Sequence, residues 1–345
     1  MDRTPLVSVG MASYNHAPFL PAAIDSILNQ TFRDFELIVV DDGSADSSLE
    51  ILQSYAGKHP EVIRVLTHPG RQHLGISATW NASIKEARGQ YWCPQASDDV
   101  SYPDRLERQV TLLEGLPDIG WVYGIADFID EGGARLNEEL GADLSAFPDL
   151  SEQLILQNLI ASATTMIRMR CMTELGPFDP DLAYSDWEFW VRLAVRYPAA
   201  FLPGAVAGYR CHGYNTSLTS PLPVDSERQM ENLKRSLEVL TTLRRKAEVA
   251  KDELGQPRKK ALLDLSRAAF FLMLRDRASA SRAAAGVFRS DPALRHDLKA
   301  LAHCLRTFRS RRLAYLVIRE FGIPPVWVAN KAFMSALFRI MARNY

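Results

Sequence analysis

Four short apolar runs, at residues 7–11, 36–40, 62–66 and 91–94, are separated by stretches whose apolar residues recur at helical spacing, and this alternation constrains the fold most. Ala22, Ile24, Ile27 and Leu28 mark the first helix, Leu49, Ile51 and Leu52 the second, and Ala78, Ala82, Ile84 and Ala87 the third. Strand, helix, strand in that order gives βαβ units, whose right-handed crossovers require parallel pairing. The expected class is therefore α/β, a sheet flanked by helices. Open sheets of this kind place their sites outside the carboxyl ends of the strands, so the segments that follow each run carry the candidates.

Those segments are polar and acidic. The first run ends in Ala12, Ser13, Tyr14, Asn15 and His16; the second in Asp41, Asp42, Gly43 and Ser44; the third in the Gly/His/Arg-rich stretch 68–75; the fourth in Ala96, Ser97, Asp98 and Asp99. Adjacent carboxylates at the end of a buried strand repel each other and lose hydration, which a cation or several donors must offset. Asp98 and Asp99 thus point to a metal or phosphate site. Acidic residues also shape turns and cap helices, and this is the reading for Asp41 beside Gly43, for Asp46 or Ser44 ahead of the second helix, and for Asp104 ahead of Leu106, Val110 and Leu113.

Further along, residues 105–116 read as a helix and 120–127 as a strand. Residues 130–150 are polar and acidic, with Gly132, Gly133, Gly141 and Pro148, and read as a mobile loop or lid. Residues 162–168 read as another strand and 175–179 as a turn. Then Asp186, Trp190 and Leu193 fall at i, i+4 and i+7, a helix with a buried aromatic face and a carboxylate in its first turn. Locally, Asp186 reads as a cap or a partner of the helix dipole. Glu188, two residues on, points elsewhere and is expected at an acceptor site or the surface.

At 345 residues with 47% hydrophobic content, the chain has room for about two domains, and its character changes after Pro223. Residues 1–223 form the α/β part; residues 224–345 are helix-rich and basic. Charge follows the division: residues 1–227 hold 15 Lys and Arg against 31 Asp and Glu, residues 228–345 hold 25 against 10. One part suits cations and the other an anionic surface, or the two complement each other. Trp327, Met334, Leu337, Phe338 and Met341 share a helical stripe opposite Arg339 and Arg343, suited to a membrane surface or to packing on its own domain. The basic excess comes without a nucleic-acid-binding module, so no nucleic acid is expected as partner. No uncharged apolar run is long enough to span a bilayer, the four cysteines are widely spaced and read as reduced thiols, and Met1 leads into a strand without a leader-like segment, which points to the cytoplasm.

The segments VSVGMASYN, SILNQTFRDFELIVVDDGS and ASDD, in that order across residues 6–110, resemble the nucleotide-sugar half of the family 2 glycosyltransferases with the GT-A fold. The resemblance implies a nucleotide-sugar donor, a UDP-sugar first of all. By matching position, Asp42 would hold the base through its ring nitrogen, Ala12, Tyr14, Asn15 and Gly75 would line the nucleotide pocket, and Asp98 would sit by the ribose or sugar. Asp99 would bind the metal bridging the diphosphate, and His212 or Arg210, in a segment that resembles the family's closing stretch, would contact the metal or the diphosphate. That metal would be Mn²⁺ or Mg²⁺, since the motif offers hard oxygen ligands. Asp186 would be the catalytic base, with Ser185 where relatives often carry a second acidic residue. The implied reaction is inverting transfer of one sugar to a glycan or lipid-linked acceptor in polysaccharide or glycoconjugate synthesis. The Gln-x-x-Arg-Trp motif and membrane helices of processive relatives are lacking, which favours single additions by a cytoplasmic enzyme, with the C-terminal helices as a peripheral contact to the inner face of the membrane. The alternative is a non-catalytic nucleotide-sugar-binding or scaffold protein. A sugar-nucleotide-forming nucleotidyltransferase is disfavoured, because residues 12–16 lack a Gly-rich basic phosphate loop.

Overall fold

A computed structural model describes residues 4–213, 226–250 and 252–274, with isolated positions as far as 291. The chain divides into two compact units, Met1–Ser145 with Leu159–Pro223, and Ala146–Asn158 with Val224–Tyr345.

The first unit opens with the expected alternation: β1 (Val7–Ser13), α1 (Leu20–Leu28), β2 (Phe35–Asp41), α2 (Ser48–Lys58), β3 (Ile63–Thr67), α3 (Ile76–Glu86) and β4 (Tyr91–Ala96). β1 pairs in parallel with β2 and β4, and β2 with β3. Val7, Val9 and Met11 of β1 and Leu37 and Val39 of β2 meet Leu20, Ala23, Ile24 and Ile27 of α1 in one buried cluster. At roughly 1.5–3 kcal/mol per fully buried aliphatic side chain, this layer fixes the strand ends that carry the site. Ala22 faces solvent; Ala23 is the core residue of α1.

The buried face of α3 is not its alanine stripe. Ser77, Thr79, Trp80 and Ser83 point inward, and the hydroxyls are satisfied at once: Thr79 Oγ1 donates to the Gly75 carbonyl (2.8 Å), and Ser83 Oγ donates to the Trp80 carbonyl (2.7 Å) while accepting from Trp92 Nε1 (3.3 Å). Small hydroxyl side chains let α3 approach β1 closely, and Gly10 completes the approach. A Cβ there would lie 2.3 Å from Ser83 Oγ and 2.5 Å from Trp92 Nε1. Gly10→Ala is therefore expected to destabilise the protein by about 1–3 kcal/mol through overpacking, read as a lower urea midpoint at unchanged slope. An unchanged midpoint would mean that the contact relaxes freely.

Beyond β4 the sheet becomes mixed. β5 (Val100–Ser101), α4 (Arg105–Gly115), β6 (Trp121–Ile129) and β7 (Arg135–Leu140) follow, then α5 (Leu150–Leu156), which falls in the second unit. Next come β8 (Met166–Arg168), α6 (Met169–Leu175), α7 (Ser185–Arg196) and β9 (Ala199–Arg210). The strand order is β3-β2-β1-β4-β8-β6-β9-β5, with β7 on β6. β8 runs antiparallel to β4 and β6, and β9 runs parallel to β6 and antiparallel to β5. Asp104 precedes α4 without capping it and pairs with Arg108 at 3.5 Å.

Two expectations change here, and one strand is unforeseen. The acidic stretch 130–150 contains a strand, because β7 follows a tight turn in which the Gly133 amide donates to the Asp130 carbonyl (3.0 Å) and pairs back on β6. Ser162–Thr164 is a short 3-10 turn ahead of β8. β9 is a twelve-residue strand whose alanines, Pro203 and Gly204 dilute any alternating pattern.

In the second unit, α5 accompanies α8 (Ser226–Val249) and α9 (Pro257–Met273). Asp149 caps α5 by accepting from the Ser151 and Glu152 amides, and it also receives Lys259 Nζ at 2.8 Å, a buried ammonium that Glu253 meets at 3.2 Å. No helix among the described residues is long and apolar enough to cross a membrane. The stripe from Trp327 to Met341 and Cys304 lie outside the described residues; Cys93, Cys171 and Cys211 are buried free thiols.

Candidate functional site

The second strand end builds the first part of the site. Asp41 turns back on its own loop, accepting from the Gly43 and Ser44 amides at 3.2 and 3.1 Å, while Asp42 faces the loop after β3. There Asp42 Oδ1 accepts from the Leu74 amide (2.7 Å) and Oδ2 from the Gly75 amide (2.9 Å). Gly75 has φ +86° immediately before α3, a conformation other residues rarely adopt. His73 Nδ1 lies 2.9 Å from Asp42 Oδ2 and His68 Nε2 lies 3.4 Å from Oδ1. Tyr14, exposed at the end of β1, stacks on the His73 ring with centroids 4.0 Å apart.

Asn15 bridges the first two strand ends. It adopts φ +51°, its side chain accepts from the Ala45 amide (2.7 Å), and its own amide donates to Ser44 Oγ (3.0 Å). Its side-chain oxygen closes the loop, while Ala12 sits on β1 between Val40 and Ala96.

The fourth strand end separates its two carboxylates. Asp98 meets His212 Nε2 at 3.0 Å and His16 Nδ1 at 3.8 Å, and the ligand atoms of these three residues all lie within 4.8 Å of one another. They are the group of histidine and carboxylate ligands among the described residues that can hold a metal ion. Burial holds His16 below its ordinary pKa, which leaves a neutral imidazole at neutral pH. Burial works against the Asp98 charge, but the His212 hydrogen bond and nearby His16 keep its carboxyl below the usual range.

Asp99 turns inward and is not in that group. Its Oδ1 accepts from the Arg210 amide at 2.9 Å, and burial, then the charge of Asp98, push its pKa well above the usual value. The structure thus groups Asp98 and His16 with His212, while Asp99, expected beside His212, faces the Arg210 amide instead. The Arg210 guanidinium donates to the carbonyls of Asp98, Asp130 and Glu131.

The third part stands at the start of α7. Asp186 lies in its first turn, half-buried, and accepts from Ser162 Oγ at 2.9 Å and from the Trp187 amide at 2.7 Å. Ser185 Oγ lies 2.6 Å from Ser77 Oγ, two residues past Gly75, so this turn abuts the Asp42 loop. Glu188 is not at the surface: it is fully buried and binds Arg192 at 2.8 Å. His16, His68, His73 and Ser162 escaped assignment from sequence; the signal for His16 was its place at the same strand end as Tyr14 and Asn15.

A parallel half-sheet continued by a mixed half and flanked by helices is the architecture of the GT-A fold. Residues 8–171 match the model described as Glycosyl transferase family 2. An uncharacterized glycosyltransferase of Methanocaldococcus jannaschii is 31% identical over 194 residues, 56% of this chain and 65% of that protein. The match spans 58–65% of the length of three such curated relatives. S. aureus TarS residues 1–349 in complex with UDP-GlcNAc superposes with TM-score 0.57 at 16% identity, covering 98% of this chain and 91% of that one. The mannosyltransferase PcManGT from Pyrobaculum calidifontis, in complex with GDP-Man and Mn²⁺, gives TM-score 0.57 at 17% identity, covering 99% and 88%. These two likenesses establish the fold.

Proposed function

We propose that the protein is an inverting, metal-dependent glycosyltransferase that moves one sugar from a UDP-sugar to a hydroxyl of a glycan or lipid-linked acceptor, in polysaccharide or glycoconjugate synthesis. The observation that carries this reading is the convergence of His16, Asp98 and His212, from three separate strand ends, on one point of the sheet's carboxyl edge. Two neutral-capable imidazoles and a carboxylate fit a divalent cation, and the nitrogen ligands suit Mn²⁺ better than Mg²⁺, which prefers oxygen. When bound, such a cation supplies positive charge beside a departing diphosphate.

The remaining chemistry belongs to the chain itself. Asp42, with Tyr14 beside it, holds the base, and Gly75 brings backbone amides to the same carboxylate. Asp186 accepts the acceptor hydroxyl's proton as that oxygen bonds the anomeric carbon, and Ser162 orients the carboxylate for it. Displacement from the face opposite the leaving diphosphate inverts the centre.

The test is release of UDP from candidate UDP-sugars with Mn²⁺ present; retained UDP binding without release from any donor and acceptor would favour a binding protein instead. Assignment of the cation site is tested separately by calorimetry. Asp98→Ala is expected to weaken Mn²⁺-assisted UDP binding by at least about tenfold. Asp99→Asn, which keeps an acceptor for the Arg210 amide, is expected to retain most of it. The opposite ranking would return the cation to Asp99.

A further inference from the structure

Both oxygens of Asp42 are already taken, and one of the four partners is out of keeping with the others. A carboxylate has about four lone-pair sites. The Leu74 and Gly75 amides take one on each oxygen. His68 and His73 face the remaining two.

The tautomers follow from the surroundings. His73 Nδ1 faces Asp42 Oδ2 at 2.9 Å and the Asp42 carbonyl at 3.2 Å, both acceptors, so Nδ1 carries the proton. His68 Nε2 lies 3.2 Å from Thr79 Oγ1, whose hydrogen is directed to the Gly75 carbonyl, so Nε2 is also a donor and serves Thr79 and Asp42 together. Two amides and His68 are built into the fold. The His68 side chain is only 7% exposed, whereas that of His73 is 52% exposed.

His73 also stacks on Tyr14, with an interplanar angle of 24°. It therefore presents to the site a flat aromatic ring against Tyr14 and a ring N–H to Asp42. A pyrimidine base with a protonated ring nitrogen offers the same face and the same donor. Both cannot use Asp42 Oδ2 and the Tyr14 face at once.

We infer that His73 is a resident occupant of the base seat, which the uracil ring must displace before Asp42 can receive it. The inference rests on the reading of Asp42 as the base contact. Its consequence is that part of the base's binding free energy is consumed in moving His73, and the apparent affinity falls by the fraction of molecules with the seat open. His73 thereby sets which nucleotides enter: those whose base carries both a stacking face and a donor for Asp42 displace it, while a bare diphosphate leaves it in place.

Calorimetry with UDP and with inorganic pyrophosphate, each with Mn²⁺, tests this on the full chain. His73→Ala is expected to tighten UDP binding by roughly 3- to 10-fold, the size of one net hydrogen bond, and to leave pyrophosphate binding unchanged. In the unaltered protein, the His73 imidazole NMR signals should shift on addition of UDP and stay in place on addition of pyrophosphate. Weaker UDP binding by His73→Ala would make His73 a base contact, and unchanged binding would make it a bystander; either result overturns the inference. If UDP binds the unaltered protein no more tightly than pyrophosphate, the base-site reading of Asp42 itself fails, and this outcome is distinct from a base-dependent affinity that ignores His73.

Discussion

Asp186→Asn is expected to lower kcat by roughly 10²- to 10⁴-fold, the range for losing a general base, with UDP affinity in the presence of Mn²⁺ unchanged. The substitution is nearly isosteric, and its surroundings hold the position. α7 is anchored by Phe189 against Phe178 (centroids 4.3 Å apart) and by Trp190 stacked on Trp121 (5.9 Å), and its first turn by the bond between Ser185 and Ser77. An asparagine oxygen still accepts from the Trp187 amide, and the Ser162 hydroxyl, which can donate or accept, turns to meet the new amide. Under the proposed reaction, the ability to take a proton from the acceptor is what disappears. The measurement is UDP release under saturating donor and acceptor, beside calorimetry for binding. A kcat within tenfold of the unaltered enzyme would place the base elsewhere.

The parallel half of the sheet is legible in the sequence because β1, β2 and β4 lie inside it and read as largely apolar runs. The mixed half is not. β9 is rich in alanine and broken by Pro203 and Gly204, and its place beside β6 depends on pairing across more than seventy residues. β7 is exposed on most of its length and carries Asn137, Glu138 and Glu139, so composition alone makes it a loop. The α3 helix inverts its expected face, since hydroxyls that find partners within the helix or on neighbours bury as readily as alanine.

At the site, strand ends announce Asp42 and the pair Asp98 and Asp99, but not which member of the pair faces the cleft. Neighbouring residues of extended chain point to opposite sides, so the choice falls to what lies behind. The Arg210 amide, from β9, draws Asp99 inward, and His212, two residues later, meets Asp98. Both depend on the strand that the pattern of residues does not reveal, Arg210 as its last residue and His212 just past it. His16 is comparable: its sequence position is evident, but only the fold brings it to Asp98, 82 residues away.

What fixes that turn from beneath is Arg105, and its removal is the other large effect expected. The side chain is fully buried, and it donates to Gln95 Oε1 (2.9 Å), Ser101 Oγ (2.8 Å) and the carbonyls of Pro94 (3.0 Å) and Thr165 (3.3 Å). Gln95 and Ser101 flank Asp98 and Asp99, so one guanidinium braces both sides of the turn. Burial lowers its pKa, with Asp99 acting in the opposite direction, and its charge in turn offsets part of the cost of burying Asp99. Arg105→Ala removes a donor from four acceptors, of which Gln95 Oε1 keeps the Ser101 hydroxyl, and leaves Asp99 without this nearby cation, which should destabilise the protein by about 3–5 kcal/mol in urea unfolding. Arg105→Met separates the causes: it refills most of the volume but restores no donor, so it should recover little of the loss. A methionine variant close to the unaltered protein in stability would show that Arg105 acts as filler. In that case the Arg210 guanidinium on the Asp98 carbonyl, with His212 on its carboxylate, would be what positions Asp98.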